Sequence, residues 1–102
     1  MQVENNLEAV ILATKELVSI LQSDYNKRYS HSLFGFEVGN KYYKIIKEDN
    51  QRSVHAFVDR LTGDLYKASG WAKPAKGVRY NLLTDMELLR GKADWAGGYL
   101  YR

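Results

Sequence analysis

Apolar residues recur at three- and four-residue steps through the first quarter of the chain, at Val3, Leu7, Val10, Ile11, Leu17, Val18, Leu21 and Tyr25. Glu4, Glu8, Lys15, Glu16 and Gln22 fall between them, so the spacing predicts an amphipathic helix from about Asn5 to about Asn26. Asn5 with Glu8 has capping-box spacing, and acids in the first turn suit the positive end of the helix dipole. The stripe is wide enough to cover a sheet.

Beyond the polar break Ser30-His31-Ser32 the period shortens to two. Phe34, Phe36 and Val38 alternate with Gly35 and Glu37, the pattern of a strand with one buried face. Gly39-Asn40 predicts a two-residue hairpin with glycine at positive φ, a register that sets Phe36 opposite Tyr43 and Phe34 opposite Ile45. Tyr42, Lys44 and Ile46 then point to the other face. A polar turn at Glu48-Asp49-Asn50-Gln51 leads to a third strand over Ser53 to Asp59. Leu61-Thr62-Gly63-Asp64 closes a second hairpin into a short strand from Leu65 to Ala68, with Gly63 the left-handed residue. With Val54, Ala56 and Val58 toward the helix, His55 and Phe57 join Tyr42, Lys44 and Ile46 on the opposite face.

Two glycines and the chain's single proline break up the stretch Gly70-Trp71-Ala72-Lys73-Pro74-Ala75-Lys76-Gly77, which reads as a loop. Thr84-Asp85-Met86-Glu87 has capping-box spacing before Leu88 and Leu89 and predicts a short helix ending at Gly91. Trp95 to Tyr101 is too aromatic for a frayed tail and is expected to pack back onto the domain. The whole reads as a single α+β domain of two layers over residues 1–102, a long N-terminal helix on a three- to four-stranded antiparallel meander with a short second helix near the C-terminus.

Composition narrows the chemistry. A chain of 102 residues supports one core. Without cysteine there is no disulfide, thiolate nucleophile or thiolate metal site. No apolar run approaches a membrane span, and Glu4 and Glu8 stand where a signal peptide would carry positive charge, so a cytoplasmic protein without membrane attachment is expected. The net charge of +3 is unevenly spread: residues 1–24 carry one Lys against four acids, and residues 25–80 carry eleven Lys and Arg against five. An acidic helix and a basic middle imply an electrostatic face.

Candidate catalytic groups are sparse. His31 lies in a break and His55 in a strand, without partners at ligand spacing, so structural roles are expected for both and no metal or cofactor is implied. No serine sits in a nucleophile elbow, and Ser53 and Ser69 are unlinked hydroxyls. Asp59 and Asp64 flank a turn and read as turn chemistry. A non-enzymatic protein is expected.

Lys76-Gly77-Val78 lacks the Gly-Lys-Ser/Thr order of a phosphate loop. The same loop nonetheless brings Lys73, Lys76 and Arg79 near Trp71 and Tyr80, and with Lys44 these form a candidate nucleic-acid surface of phosphate-seeking cations and flat rings. The simpler account, which the sequence favours, has Trp71 anchoring the loop in the core and the lysines merely solvated. Tyr42, Ile46 and Phe57 form a candidate interface on the second sheet face, unless the segment from Asn81 to Tyr101 packs there.

Three segments carry a resemblance: Val54 to Lys67 (VHAFVDRLTGDLYK), Trp71 to Leu82 (WAKPAKGVRYNL) and Asp94 to Tyr101 (DWAGGYLY). They resemble small uncharacterised proteins encoded by tailed bacteriophages, including marine ones. The resemblance implies a phage accessory protein acting in the host cytoplasm, and it assigns no catalytic or binding residue. The expected role is binding, with single-stranded nucleic acid as leading partner. The alternative is a protein-protein module, a homodimer or an inhibitor of a host protein, using the apolar sheet face.

Overall fold

The computed structural model describes residues 3–101, with side chains from Asn6 onward. Helix α1 (Val3–Asn26) buries Val10, Leu17, Leu21 and Tyr25 and half-buries Ile11 and Val18, the stripe that the three- and four-residue steps predict. Thr14 joins them at 0% exposure because its Oγ1 donates 2.8 Å to the Val10 carbonyl, which satisfies the hydroxyl inside the helix. The helix starts ahead of Asn5, whose side chain and proposed cap lie outside the described residues.

The sheet is a five-stranded antiparallel meander in chain order: β1 (Leu33–Val38), β2 (Tyr42–Glu48), β3 (Arg52–Asp59), β4 (Asp64–Lys67) and β5 (Tyr80–Asn81). The fifth strand is two residues long and falls outside the three or four that alternation predicts. Gly63 has φ 81°, and a Cβ there would meet Leu83 Cγ at 3.2 Å, so the second hairpin requires glycine as expected.

The first hairpin differs. Phe36 stands opposite Ile45 and Val38 opposite Tyr43, two residues from the predicted register. Gly39 is not at positive φ, and its N–H donates 2.9 Å to the Tyr42 carbonyl, so Asn40-Lys41 forms the tip. Arg60 holds that tip by donating 2.7 Å to the Gly39 carbonyl. A slip of two preserves every facing, and Phe34, Phe36, Tyr43 and Ile45 still share the helix side.

A bulge changes the facing in β3. Ile45 opposes Ala56 but Ile46 opposes Val54, leaving His55 as the extra residue. Val54 therefore shares a face with Ile46, and His55 turns toward the helix side, where its ring meets Phe34 and Tyr99. Strict alternation assigns both residues to the wrong face, and the inserted residue is the reason.

The segment from Leu82 to Leu100 packs beside α1, on the helix side of the sheet. Leu82, Leu89, Tyr99 and Leu100 belong to the same buried cluster as Leu17 and Tyr25, and Trp95 packs against it. Trp95 N–H donates 3.0 Å to Asp24 Oδ2, and Arg90 Nε donates 2.6 Å to Glu16 Oε2. Helix α2 (Met86–Lys92) runs one residue past Gly91 and has no side-chain cap bond at Asp85. Asp85 Oδ2 instead accepts from Asn81 N–H at 2.8 Å, and Asn81 Oδ1 accepts from Leu83 and Thr84 N–H, so the turn before the helix takes the polar groups that the capping box would have used.

Candidate functional site

The second sheet face carries the candidate surface. Tyr42, Lys44 and Ile46 project there from β2, with Phe57 opposite Lys44 and Tyr66 opposite Phe57. Ile46 and Phe57 are 4% and 2% exposed, so neither offers its side chain to a partner. Tyr42 sets its ring edge-on to Phe57 at 5.7 Å and to Tyr66 at 6.0 Å.

The loop after β4 folds over this face. Ala68 bridges to Pro74, and Ser69 N–H donates 2.9 Å to the Lys73 carbonyl, which closes a compact loop with Trp71 inside it. Lys44 Nζ lies 4.2 Å from the Trp71 ring centroid and 5.9 Å from that of Phe57, and the Arg52 guanidinium lies 5.5 Å from Trp71. Both cations rise from the sheet, so the indole rests on a cationic bed. Trp71 remains 45% exposed and is no part of the core cluster, which removes the account in which it anchors the loop in the core. Arg52 is also tied to Glu37 and lies 3.6 Å from Glu48, ion pairs that hold the guanidinium in place.

The remaining candidates divide. Lys73 and Lys76 are exposed on the loop's return limb. Arg79 turns back, its N–H donating 2.8 Å to the Leu65 carbonyl and its Nη2 3.4 Å to that of Lys76. Tyr80 is 4% exposed and its hydroxyl donates 3.1 Å to the Tyr99 carbonyl, so its ring belongs to the core and cannot stack on a base from outside. Lys44 and Trp71 are therefore joined, and Tyr80 is separated from them. Arg52 was missed by the sequence reading, although its place two residues before Val54 could have flagged it once the bulge was known.

The histidines hold structural polar contacts. His55 Nε2 lies 2.8 Å from the Tyr99 hydroxyl, and burial lowers its pKa from 6.5 to about 4. Burial raises the Tyr99 hydroxyl well above its usual range. His31 Nε2 lies 3.1 Å from the Tyr25 hydroxyl, which donates 2.9 Å to Ser32 Oγ, which donates 2.9 Å to Asp49 Oδ2. This chain ties the end of α1 to the start of β1 and the β2–β3 turn. Asp59 Oδ1 accepts from Leu61 and Thr62 N–H, which is the expected turn chemistry. Among the described residues no group of three or more His, Asp or Glu could hold a metal ion, and no helix is long and apolar enough to cross a membrane.

The long helix, the antiparallel meander and the short second helix define an α+β protein. A model of a family of unknown function, DUF7717, matches residues 1–102, and the chain belongs to that family. Searches of curated proteins and of solved structures gave no match.

Proposed function

We propose that this protein is a non-enzymatic binder of single-stranded nucleic acid, with Trp71 as its stacking platform. One observation carries the reading: an indole 45% exposed, with the Lys44 ammonium 4.2 Å and the Arg52 guanidinium 5.5 Å from its ring centroid. Base stacking on such a ring tolerates any sequence, and nearby cations attract the phosphate backbone. Lys73 and Lys76 extend that charge along the loop, while Tyr42 and Lys41, whose Nζ lies 5.4 Å from the Tyr42 ring, continue it past Lys44. The surplus of six positive charges over residues 25–80 supplies the long-range attraction. A duplex hides its base faces, so single strands are preferred. The resemblance to phage proteins supports an infected host's cytoplasm as the setting of this proposed activity.

A second reading rests on β1. It forms one edge of the sheet, and Leu33 and Val38 on it are 71% and 60% exposed. An open edge with apolar side chains suits pairing with a second copy or a host protein. This edge replaces the second face as the interface candidate, since Ile46 and Phe57 are buried.

Fluorescence anisotropy with labelled single-stranded and duplex oligonucleotides at low salt tests the proposal. Saturable binding with single strands preferred is expected. Equal affinity for duplex would remove Trp71 from the account, because charge alone makes no such distinction.

A further inference from the structure

A second site lies on the opposite face of the sheet. Lys47 faces the helix side because it opposes Phe34 and Ser53, and Lys67 does so because it opposes Ala56. Phe34 and Ala56 belong to the core. Two lysines thus stand on the inner face of the sheet, at the end that the C-terminal segment covers. They line one cleft of about 320 Å³ together with Ser53, His55, Trp95 and Tyr101.

Among the described residues the lining contains no carboxylate. Among the described residues neither lysine forms an ion pair with an acid. Their ammonium groups instead lie over rings, Lys47 Nζ at 5.2 Å from Trp95 and Lys67 Nζ at 4.8 Å from Tyr101. Asp94, next to the cleft, has its Oδ1 occupied by the N–H groups of Gly97 and Gly98 at 2.7 and 3.1 Å. His55 is neutral at pH 7, its pKa held near 4 by burial, so it contributes a ring and no charge. Half-buried cations are normally paired with an acid. Here Lys67 Nζ donates 3.4 Å to the Ala68 carbonyl and Lys47 feels the more distant Asp49, but neither ammonium has a carboxylate in contact among the described residues. The described lining thus holds two cations and flat walls, with Asp94 the acid beside it and no acid within it.

Size limits the ligand. Small-molecule sites run from about 300 to 1,000 Å³, and this cleft sits at the lower end, with room for one nucleotide and not for a dinucleotide cofactor. From these features we infer that the cleft binds a nucleoside monophosphate, its phosphate between Lys47 and Lys67 with the Ser53 hydroxyl as a further donor, and its base against Tyr101 and Trp95. This site does not depend on the Trp71 platform, which lies on the other face.

Isothermal titration calorimetry with adenosine 5′-monophosphate, adenosine and inorganic phosphate tests the assignment. Saturable binding of the monophosphate is expected, with adenosine and phosphate alone each at least about tenfold weaker, since each forfeits one half of the recognition. Lys67→Met should weaken the monophosphate by about tenfold through loss of the ammonium. Tyr101→Ala should weaken it by about fivefold or more through loss of stacking. Tyr101 is 74% exposed, so that variant should melt with the parent and report on the ligand alone. Trp71→Ala should leave monophosphate binding unchanged, which separates this site from the oligonucleotide surface. The inference is overturned if the monophosphate gives no saturable heat at a few millimolar. It is equally overturned if phosphate alone binds as tightly, or if the Lys67→Met, Tyr101→Ala double variant binds like the parent.

Discussion

The Tyr99 hydroxyl lies 2.8 Å from His55 Nε2, and the two rings stack with centroids 5.7 Å apart. The pair closes the C-terminal segment onto the β3 bulge. Its cost is that His55 cannot take up a proton in the folded state until its pKa of about 4 is reached, whereas the unfolded chain does so at about 6.5. Between those values the unfolded state binds more protons, so stability falls as pH drops from 6.5 toward 4. Carried through the whole window the loss is about 3 kcal/mol. The lowered carboxylates Glu16, Glu37 and Asp49 give stabilisation that is present above their ordinary values of 4.5, 4.5 and 3.8 and is lost only as pH falls through them. Urea unfolding at pH 7, 6 and 5 therefore isolates His55, and His55→Gln should flatten the dependence. An unchanged slope in that variant would remove His55 as its source.

Tyr99 acts at the other end of the scale. Its folded pKa is raised above 10, so its stabilisation is intact below pH 10 and declines as the unfolded chain ionises above it. Tyr99→Phe should reduce the alkaline decline, to which the raised Tyr66 hydroxyl also contributes, while costing about 1 kcal/mol at neutral pH for the lost hydrogen bond. Melting temperatures from pH 8 to 11 check both halves.

Leu17 is fully buried in the helix stripe and Lys15 is exposed two residues away. Leu17→Asp should cost about 3 kcal/mol or more, because an unpaired carboxylate enters the core. Lys15→Asp should stay within about 0.5 kcal/mol. Equal melting temperatures for the two variants would mean that α1 does not bury the face seen here.

The physics that made α1 and the meander legible is periodic, and it failed where the period breaks. Leu17, Leu21 and Tyr25 follow from spacing alone, as do Phe34, Tyr43 and Ile45. The His55 bulge leaves no mark in composition, yet it exchanges Val54 and His55 between faces. Tyr80 reads as part of a basic loop because its burial comes from Tyr99, nineteen residues away. Lys47 and Lys67 carried a signal that went unused. Each continues a core-facing series, Tyr43-Ile45-Lys47 and Leu65-Lys67, and a cation in such a register asks for an anion or a ring.

Ser32 is 1% exposed and sits between the Tyr25 hydroxyl and Asp49. Ser32→Ala should cost about 1–3 kcal/mol, the penalty for stranding a buried donor. Tyr25→Phe removes that donor, so the double variant should cost less than the two singles together by about 0.5 kcal/mol or more. Additive costs from chemical denaturation would show that the hydrogen bond contributes nothing of its own.

The nucleic-acid surface makes two separable demands, cations for phosphate and an open ring for bases, and different residues supply them. Lys73 and Lys76 are exposed, whereas Arg79 is held against the Leu65 and Lys76 carbonyls, so the two lysines are the cations to remove. Replacing both by Ala should weaken binding to all single strands alike and lower the slope of log affinity against log salt by up to about 1.4, at roughly 0.7 for each phosphate contact. Trp71→Ala should weaken single-strand binding by about 1–3 kcal/mol and leave that slope nearly unchanged, because stacking releases no counterions. Its melting temperature should stay near the parent's, since the ring is 45% exposed and lies outside the core cluster. Lys44→Met should fall between the two, losing one charge and the cation 4.2 Å beneath the indole. Anisotropy titrations of the four proteins across a salt series distinguish these outcomes. Absence of binding by the parent at low salt, where attraction to phosphate is strongest, would end the nucleic-acid reading and leave the β1 edge as the surface to pursue.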